Sequence, residues 1–138
     1  MVLTEWLRRL GVRYRFNRVY RHRPGALVIS EDRLEYGCYS IVGGAIVLKI
    51  RWGVRWQEIT RIRGYKRDCL AVDLVCLAIE CEDPQAFEVH EEMEGWQALE
   101  QALATHFDLR HEAWFPIIAL PPFATNLTTL WQRERTVC

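Results

Sequence analysis

No run in the 138-residue sequence reaches the roughly 20 consecutive apolar residues of a membrane-spanning helix. The N-terminus also lacks an apolar core followed by a small-residue cleavage site, so a cytoplasmic location is the expectation. Cysteine is present but unpatterned. Cys38, Cys69, Cys76, Cys81 and Cys138 form an odd set with no C-x-x-C pair, which signals neither a disulfide framework nor a zinc site. They read as buried thiols acting as small hydrophobes. G-x-x-x-x-G-K-[ST], G-x-G-x-x-G and G-x-S-x-G are all missing, so no nucleotide loop or nucleophile elbow is indicated. No cofactor is expected. With no repeat, linker or low-complexity stretch, residues 1–138 read as a single domain.

Hydrophobic residues make up 50% of the chain and charged residues 26%, the balance of a folded chain and not of a disordered one. The zero formal charge conceals a gradient. Residues 1–67 hold 15 Lys and Arg against 5 Asp and Glu, whereas residues 68–138 hold 3 against 13. Interleaved in one sheet, these charges cancel through cross-strand pairs; segregated, they make a basic and an acidic face that steer partners or stack copies head to tail.

The opening "VLTEWLRRLGV" sets Leu3, Trp6, Leu7 and Leu10 at helical spacing, with Arg8 and Arg9 opposite, and predicts a short amphipathic helix over 1–11. "VRYRF" then alternates Val12, Tyr14 and Phe16 with Arg13 and Arg15, the pattern of a half-buried strand. Turns are signalled at Ser30-Glu31-Asp32, at Gly43-Gly44 and at "EDP" over 82–84, with strand patterns between them. "LAVDLVCLAIECE" is the most apolar strand candidate, placing Ala71, Asp73, Val75, Leu77 and Ile79 on one face. After Gly95, "GWQALEQALATHF" aligns Trp96, Leu99, Leu103 and Phe107, with Ala98 and Ala102 alongside, as an amphipathic helix. The apolar remainder, 108–138, is expected to pack on the body, with an extended turn at Pro121-Pro122. Short turns between successive strands argue for an antiparallel meander, giving an α+β, mainly β fold.

This layout resembles a pleckstrin-homology-like domain over roughly residues 25–131. "ALVISEDRLEYG" looks like the strand, turn and strand that open bacterial versions. "VRWQEITRI", with Trp56, Ile59 and Ile62, is similar to their W-x-x-I-x-x-I run. "GYKRDCLAVDLVCLAIE", "HEEMEGW" and "FPIIALPPFATNLTTLW" resemble an uncharacterised bacterial family. The resemblance implies an antiparallel sheet or barrel with a C-terminal amphipathic helix, here with an N-terminal helical extension, and a module that binds proteins or lipids more often than it catalyses. Glu31, Asp32 and Glu35 occupy the first hairpin in place of a basic phosphoinositide signature.

Three clusters compete as sites. Lys66, Asp68 and Asp73, with Tyr65, His90, Glu91 and Glu92 elsewhere, supply acids and bases for a hydrolytic reading. A carboxylate among apolar neighbours needs a partner, however, so Asp73 reads first as a structural acid paired with Lys66, Arg67 or backbone amides. Glu91, Glu92 and Glu94 match no calcium loop and read as a solvated turn. Trp6, Arg8, Arg9, Arg13 and Arg15 offer a partner or membrane contact. Arg8, Arg9, Arg13, Arg15, Arg18, Arg21 and Arg23, interleaved with Tyr14, Phe16 and Tyr20, also combine phosphate-pairing guanidinium groups with stacking surfaces, as a single-strand binding surface does, but no nucleic-acid motif surrounds them. The expectation is a non-enzymatic binding module for a protein partner or a homo-oligomer. Association with an anionic membrane through the N-terminal segment is the alternative, and a small enzyme built on Asp73 and Lys66 the next; nucleic acid is disfavoured.

Overall fold

The structure, a computed structural model, describes residues 25–68, 73–83, 85–122 and 124–134. The helix expected over 1–11 and the alternating segment after it lie outside the described residues. The fold is mainly β, in two antiparallel sheets. The first has the order β1 (Gly25–Ile29), β2 (Arg33–Val42), β3 (Ala45–Arg55). The second has the order β6 (Ala86–His90), β5 (Asp73–Cys81), β4 (Ile59–Asp68), β7 (Thr128–Gln132). Helices α1 (Trp96–Phe107) and α2 (His111–Ala119) fall between β6 and β7 in the chain.

Each expected turn is made by the residues that favour it. Ser30 Oγ donates to Asp32 Oδ1 at 3.0 Å and the Ser30 amide donates to the Arg33 carbonyl, closing β1 onto β2. Gly43 and Gly44 both have positive φ, +58° and +82°, as a two-residue type I′ hairpin loop demands. Between β3 and β4 the single turn Trp56–Glu58 diverts the chain from one sheet to the other. Trp56 anchors that corner: its indole N–H donates to the Ser30 carbonyl and its amide to the Asp32 carbonyl. Because of this corner, no strand pair joins the two sheets among the described residues, and the expected sheet or barrel resolves into two separate sheets.

The core lies between the sheets and under the helices. Leu34, Tyr36 and Val54 come from the first sheet, Trp56 from the turn between the sheets, and Ile59, Ile62, Val75, Leu77, Ile79 and Val89 from the second. Trp52 stacks at 4.3 Å on Phe87 of β6 and at 5.8 Å against Tyr36, tying the sheets together. Helix α1 buries Trp96, Leu99, Leu103 and Phe107 as its spacing predicts, and Ala102 with them; Ala98 faces solvent instead.

The segment after 108 carries more structure than packing alone. Helix α2 drives Trp114 and Ile118 into the core, and β7 returns antiparallel to the free side of β4, pairing Ile62 with Trp131. Each large side chain buried in this way stabilises the fold by about 2 kcal/mol. Gly64 makes the approach of α2 possible, since a Cβ there would lie 2.8 Å from Ile118 Cγ1. The start of α1 is held as closely. The Leu27 amide donates to the Glu94 carbonyl at 2.7 Å, and Gly95 follows at φ +90°.

Gly95 therefore combines a left-handed backbone with a close approach: a Cβ would stand 2.4 Å from the Leu27 carbonyl oxygen. Gly95→Ala should cost at least about 2 kcal/mol, because the strained φ and the backbone collision act together. Chemical denaturation of the purified variant measures it.

Candidate functional site

Strand β4 explains the charged cluster. In "ITRIRGYKR" the even positions Ile62, Gly64 and Lys66 face the core and α2, and the odd positions Arg61, Arg63, Tyr65 and Arg67 face the other way. Lys66 thus enters the apolar side and is only 3% exposed. Its ammonium donates to Asp73 Oδ2 at 3.2 Å, to the Ala119 carbonyl at 2.9 Å and to the Pro121 carbonyl. Ala119 ends α2, so the cation also satisfies carbonyls at the negative end of that helix. Of the partners considered for Asp73, the Lys66 ammonium forms an ion pair with it. Asp68 stands opposite Asp73 in the β4–β5 register, but its side chain lies outside the described residues. So do Trp6, Arg8, Arg9, Arg13 and Arg15.

The odd positions build a second charged layer that the sequence reading did not assemble. Arg61 donates to both oxygens of Glu80, at 2.5 and 2.8 Å, and Arg63 Nε donates to Glu80 Oε2 at 3.2 Å. One strand further along, Arg67 Nη2 bridges the two oxygens of Glu88 at 2.6 and 2.7 Å, while the Tyr65 hydroxyl donates to Glu88 Oε2. Glu80 and Glu88 are nearly buried, so each charge is neutralised where water is scarce. The period-two run of Arg61, Arg63, Tyr65 and Arg67 was the available signal; its acidic partners are 17 to 23 residues distant in the chain.

The chemistry open to these groups is narrow. Burial, with the Glu88 charge second, pushes the Tyr65 phenol far above its ordinary range, so it stays a donor. Burial and then the carboxylates of Glu58, Asp83 and Glu80 push the Cys81 thiol up to about 12, which leaves no thiolate near neutrality. Glu91 Oε1 accepts from the Val75 amide at 2.9 Å, and Glu94 Oε2 accepts from the Tyr39 hydroxyl at 2.9 Å. Among the described residues, no three His, Cys, Asp or Glu side chains are placed to hold a metal ion. Open depressions of about 570 and 380 Å³ lie beside Glu100 and His111 and beside Glu82 and Asp83; neither is lined by Lys66 or Asp73.

A different surface stands out at the far end of the first sheet. Ile41 and Ile46 face each other across the β2–β3 hairpin and are 79% and 76% exposed, with Val42, Val47 and Ile50 exposed around them. A register shift in β3 produces this. Tyr36 pairs with Trp52 but Gly37 pairs with Ile50, so Arg51 is an extra residue. Trp52 therefore shares the core face with Tyr36, whereas Ile50, Leu48 and Ile46 share the opposite face with Gly37, Tyr39 and Ile41. The proximity of Leu48 Cγ to a Cβ built on Gly37, 2.9 Å, places them together. Contiguous exposed apolar side chains of this kind mark interaction surfaces. Lys49 and Arg51 are exposed among them and are the only charges from Gly37 to Trp52.

Two measurements test the polar interior. Asp73→Ala should cost about 3 kcal/mol by stranding a buried ammonium, and Lys66→Met in the same background should recover part of that loss. Denaturation of the two single variants and the double variant completes the cycle. His90 gives a pH signature. Burial is the main cause lowering its pKa below the ordinary 6.5, and its Nδ1 accepts from the Glu92 amide, which needs the neutral ring. Below about 6.5 the unfolded chain then binds more protons than the folded one. Stability contributed by neutral His90 is present above that pH and lost as pH falls through the folded value, and His90→Gln should flatten this part of a stability profile measured between pH 7.5 and about 5.

A scan against protein-family models and searches of curated proteins and of solved structures find no match. The functional reading therefore rests on this geometry.

Proposed function

We propose that the chain is a non-enzymatic, pleckstrin-homology-like interaction module that docks a protein partner in the cytoplasm through its β2–β3 hairpin. The observation that carries this reading is the facing pair Ile41 and Ile46, both more than three-quarters exposed at the end of a two-stranded arm. Isoleucine in water contributes nothing to the core, and a covered pair of this size is worth several kcal/mol to a complex. The antiparallel sheets, the helix after β6 and the buried corner of Trp56, Ile59 and Ile62 support the pleckstrin-homology-like part. The ionisable groups around Lys66 and Asp73 support the non-enzymatic part, since each described contact there neutralises or anchors another group.

Association with an anionic membrane is the second reading. It is favoured by Lys49 and Arg51, which stand behind the apolar tip at the depth where headgroups would meet them.

Ile41→Ser with Ile46→Ser should leave stability within about 1 kcal/mol, because both side chains already face water. The same variant should lose whatever protein co-purifies stoichiometrically with the native chain. Flotation with vesicles of phosphatidylglycerol and phosphatidylcholine separates the readings. A variant that keeps its protein partner, or loses vesicle binding alone, counts against protein docking through this hairpin.

A further inference from the structure

Strand β3 is paired on one side only among the described residues. The two-residue loop decides which of its backbone groups face the open side. Val42 and Ala45 close the hairpin and exchange hydrogen bonds, so Ala45, Val47 and Lys49 turn their N–H and C=O groups toward β2. Ile46, Leu48 and Ile50 turn theirs outward. The extra residue at Arg51 ends this regular stretch. The open edge is thus three residues long in outward groups, all three are aliphatic, and no proline interrupts it. Edges of this composition pair unless they are blocked.

We infer that β3 is completed by β3 of a second copy of this chain, antiparallel and centred on Leu48, giving a continuous six-stranded sheet. The inference rests on the hairpin being the interaction surface. In this register Leu48 meets its own counterpart, Ile46 meets Ile50, Val47 meets Lys49 and Ala45 meets Arg51. All three outward-facing residues then pair, forming about six backbone hydrogen bonds across the two-fold axis. No like charges oppose each other. Centring on Lys49 sets two ammonium groups face to face, and centring on Val47 leaves Ile50 opposite the glycine loop. Sequence and edge geometry therefore select one register of the three. The outer face gains a row of Ile46, Leu48 and Ile50 from each copy, side by side, so apolar side chains exposed in one chain shield those of the other.

Sedimentation equilibrium of the full chain and two variants tests this. The native chain should dimerise. Ile46→Lys, at a position the fold leaves exposed, should weaken dimerisation at least about tenfold by opposing a charge to Ile50 at two symmetric places. Val47→Glu should tighten it by about threefold, because each new carboxylate faces Lys49 of the other copy. Loss of an apolar contact by itself would weaken association, so tightening is specific to this register. A native dimer indifferent to Ile46→Lys, or one weakened by Val47→Glu, overturns the inference. A chain that stays monomeric at its solubility limit also overturns it. If that monomer still loses a co-purified protein on Ile41→Ser with Ile46→Ser, the interaction-module reading survives alone. If it instead loses only vesicle flotation, both protein readings fail.

Discussion

The centre of the second sheet is buried on both of its faces, and this constraint organises the rest of the described chain. Strand β5 shows it most plainly, since every residue from Leu74 to Glu80 is buried. A strand covered on both sides cannot alternate apolar with polar residues, which is why "LVCLAI" runs without interruption. One face receives the first sheet, α1 and α2. The other face is also withdrawn from water but carries Glu80, Glu88 and the arginines of β4. Charges in that position persist only when paired and hydrogen-bonded. Lys66 applies the same rule on the apolar side, where one ammonium satisfies a carboxylate and two carbonyls and so fixes the end of α2 against β4.

The charge gradient along the sequence follows from this pairing. The basic residues of β4 belong to the first half of the chain, and Asp73, Glu80 and Glu88 to the second. Folding brings them together as Lys66 with Asp73, Arg61 and Arg63 with Glu80, and Arg67 with Glu88. Arg133, in the acidic half, pairs with Glu82 of the same half and donates to the carbonyls of Gln57 and Ile59 in the other. Much of the gradient in the described sheets is therefore internal neutralisation. Buried ion pairs contribute less net stability than their geometry suggests, because desolvation offsets the attraction. Their stronger effect is on register. Slipping β4 by one residue against β5 would move four charged or phenolic groups into the apolar core and turn Ile62 out of it.

Much of this was legible in the sequence, for reasons that lie in single residues. Ser30-Glu31-Asp32 and Gly43-Gly44 mark turns because their chemistry permits few alternatives. Trp96, Leu99, Leu103 and Phe107 mark α1 because their spacing suits only a helix. Asp73 was legible as a structural acid because an unpaired carboxylate beside Val75, Leu77 and Ile79 would be costly. Helix α2 was hidden by Pro116, which lies inside it, and by the proline pair that follows; β7 was hidden because Thr128–Gln132 has no hairpin partner nearby in the chain. The separation into two sheets depends on the Trp56 corner, whose indole bond to the Ser30 carbonyl spans 26 residues. The apolar hairpin escaped because Ile46, Leu48, Ile50 and Trp52 alternate in sequence as one face. The extra residue at Arg51 splits them, sending Trp52 inward and the three aliphatics outward.

That split divides the hairpin into a core half and an exposed arm. The core half of β3 ends at Trp52, which is already stacked against Phe87. Beyond it, neither face of the arm needs to be apolar for the fold to hold, and Ser, Thr or Lys at Ile41, Ile46 and Ile50 would protect the edge from unwanted pairing at little cost to stability. The chain instead places β-branched residues on both strands of the arm and adds only Lys49 and Arg51 as charges. β-branched side chains stiffen an extended strand and present a flat aliphatic surface. In water such a surface is a liability for aggregation, while under a cover it is an adhesive face of fixed shape. Apolarity on both faces and an edge left unpaired among the described residues thus set this arm apart from the core half of the same strands, where each large side chain is fixed by packing.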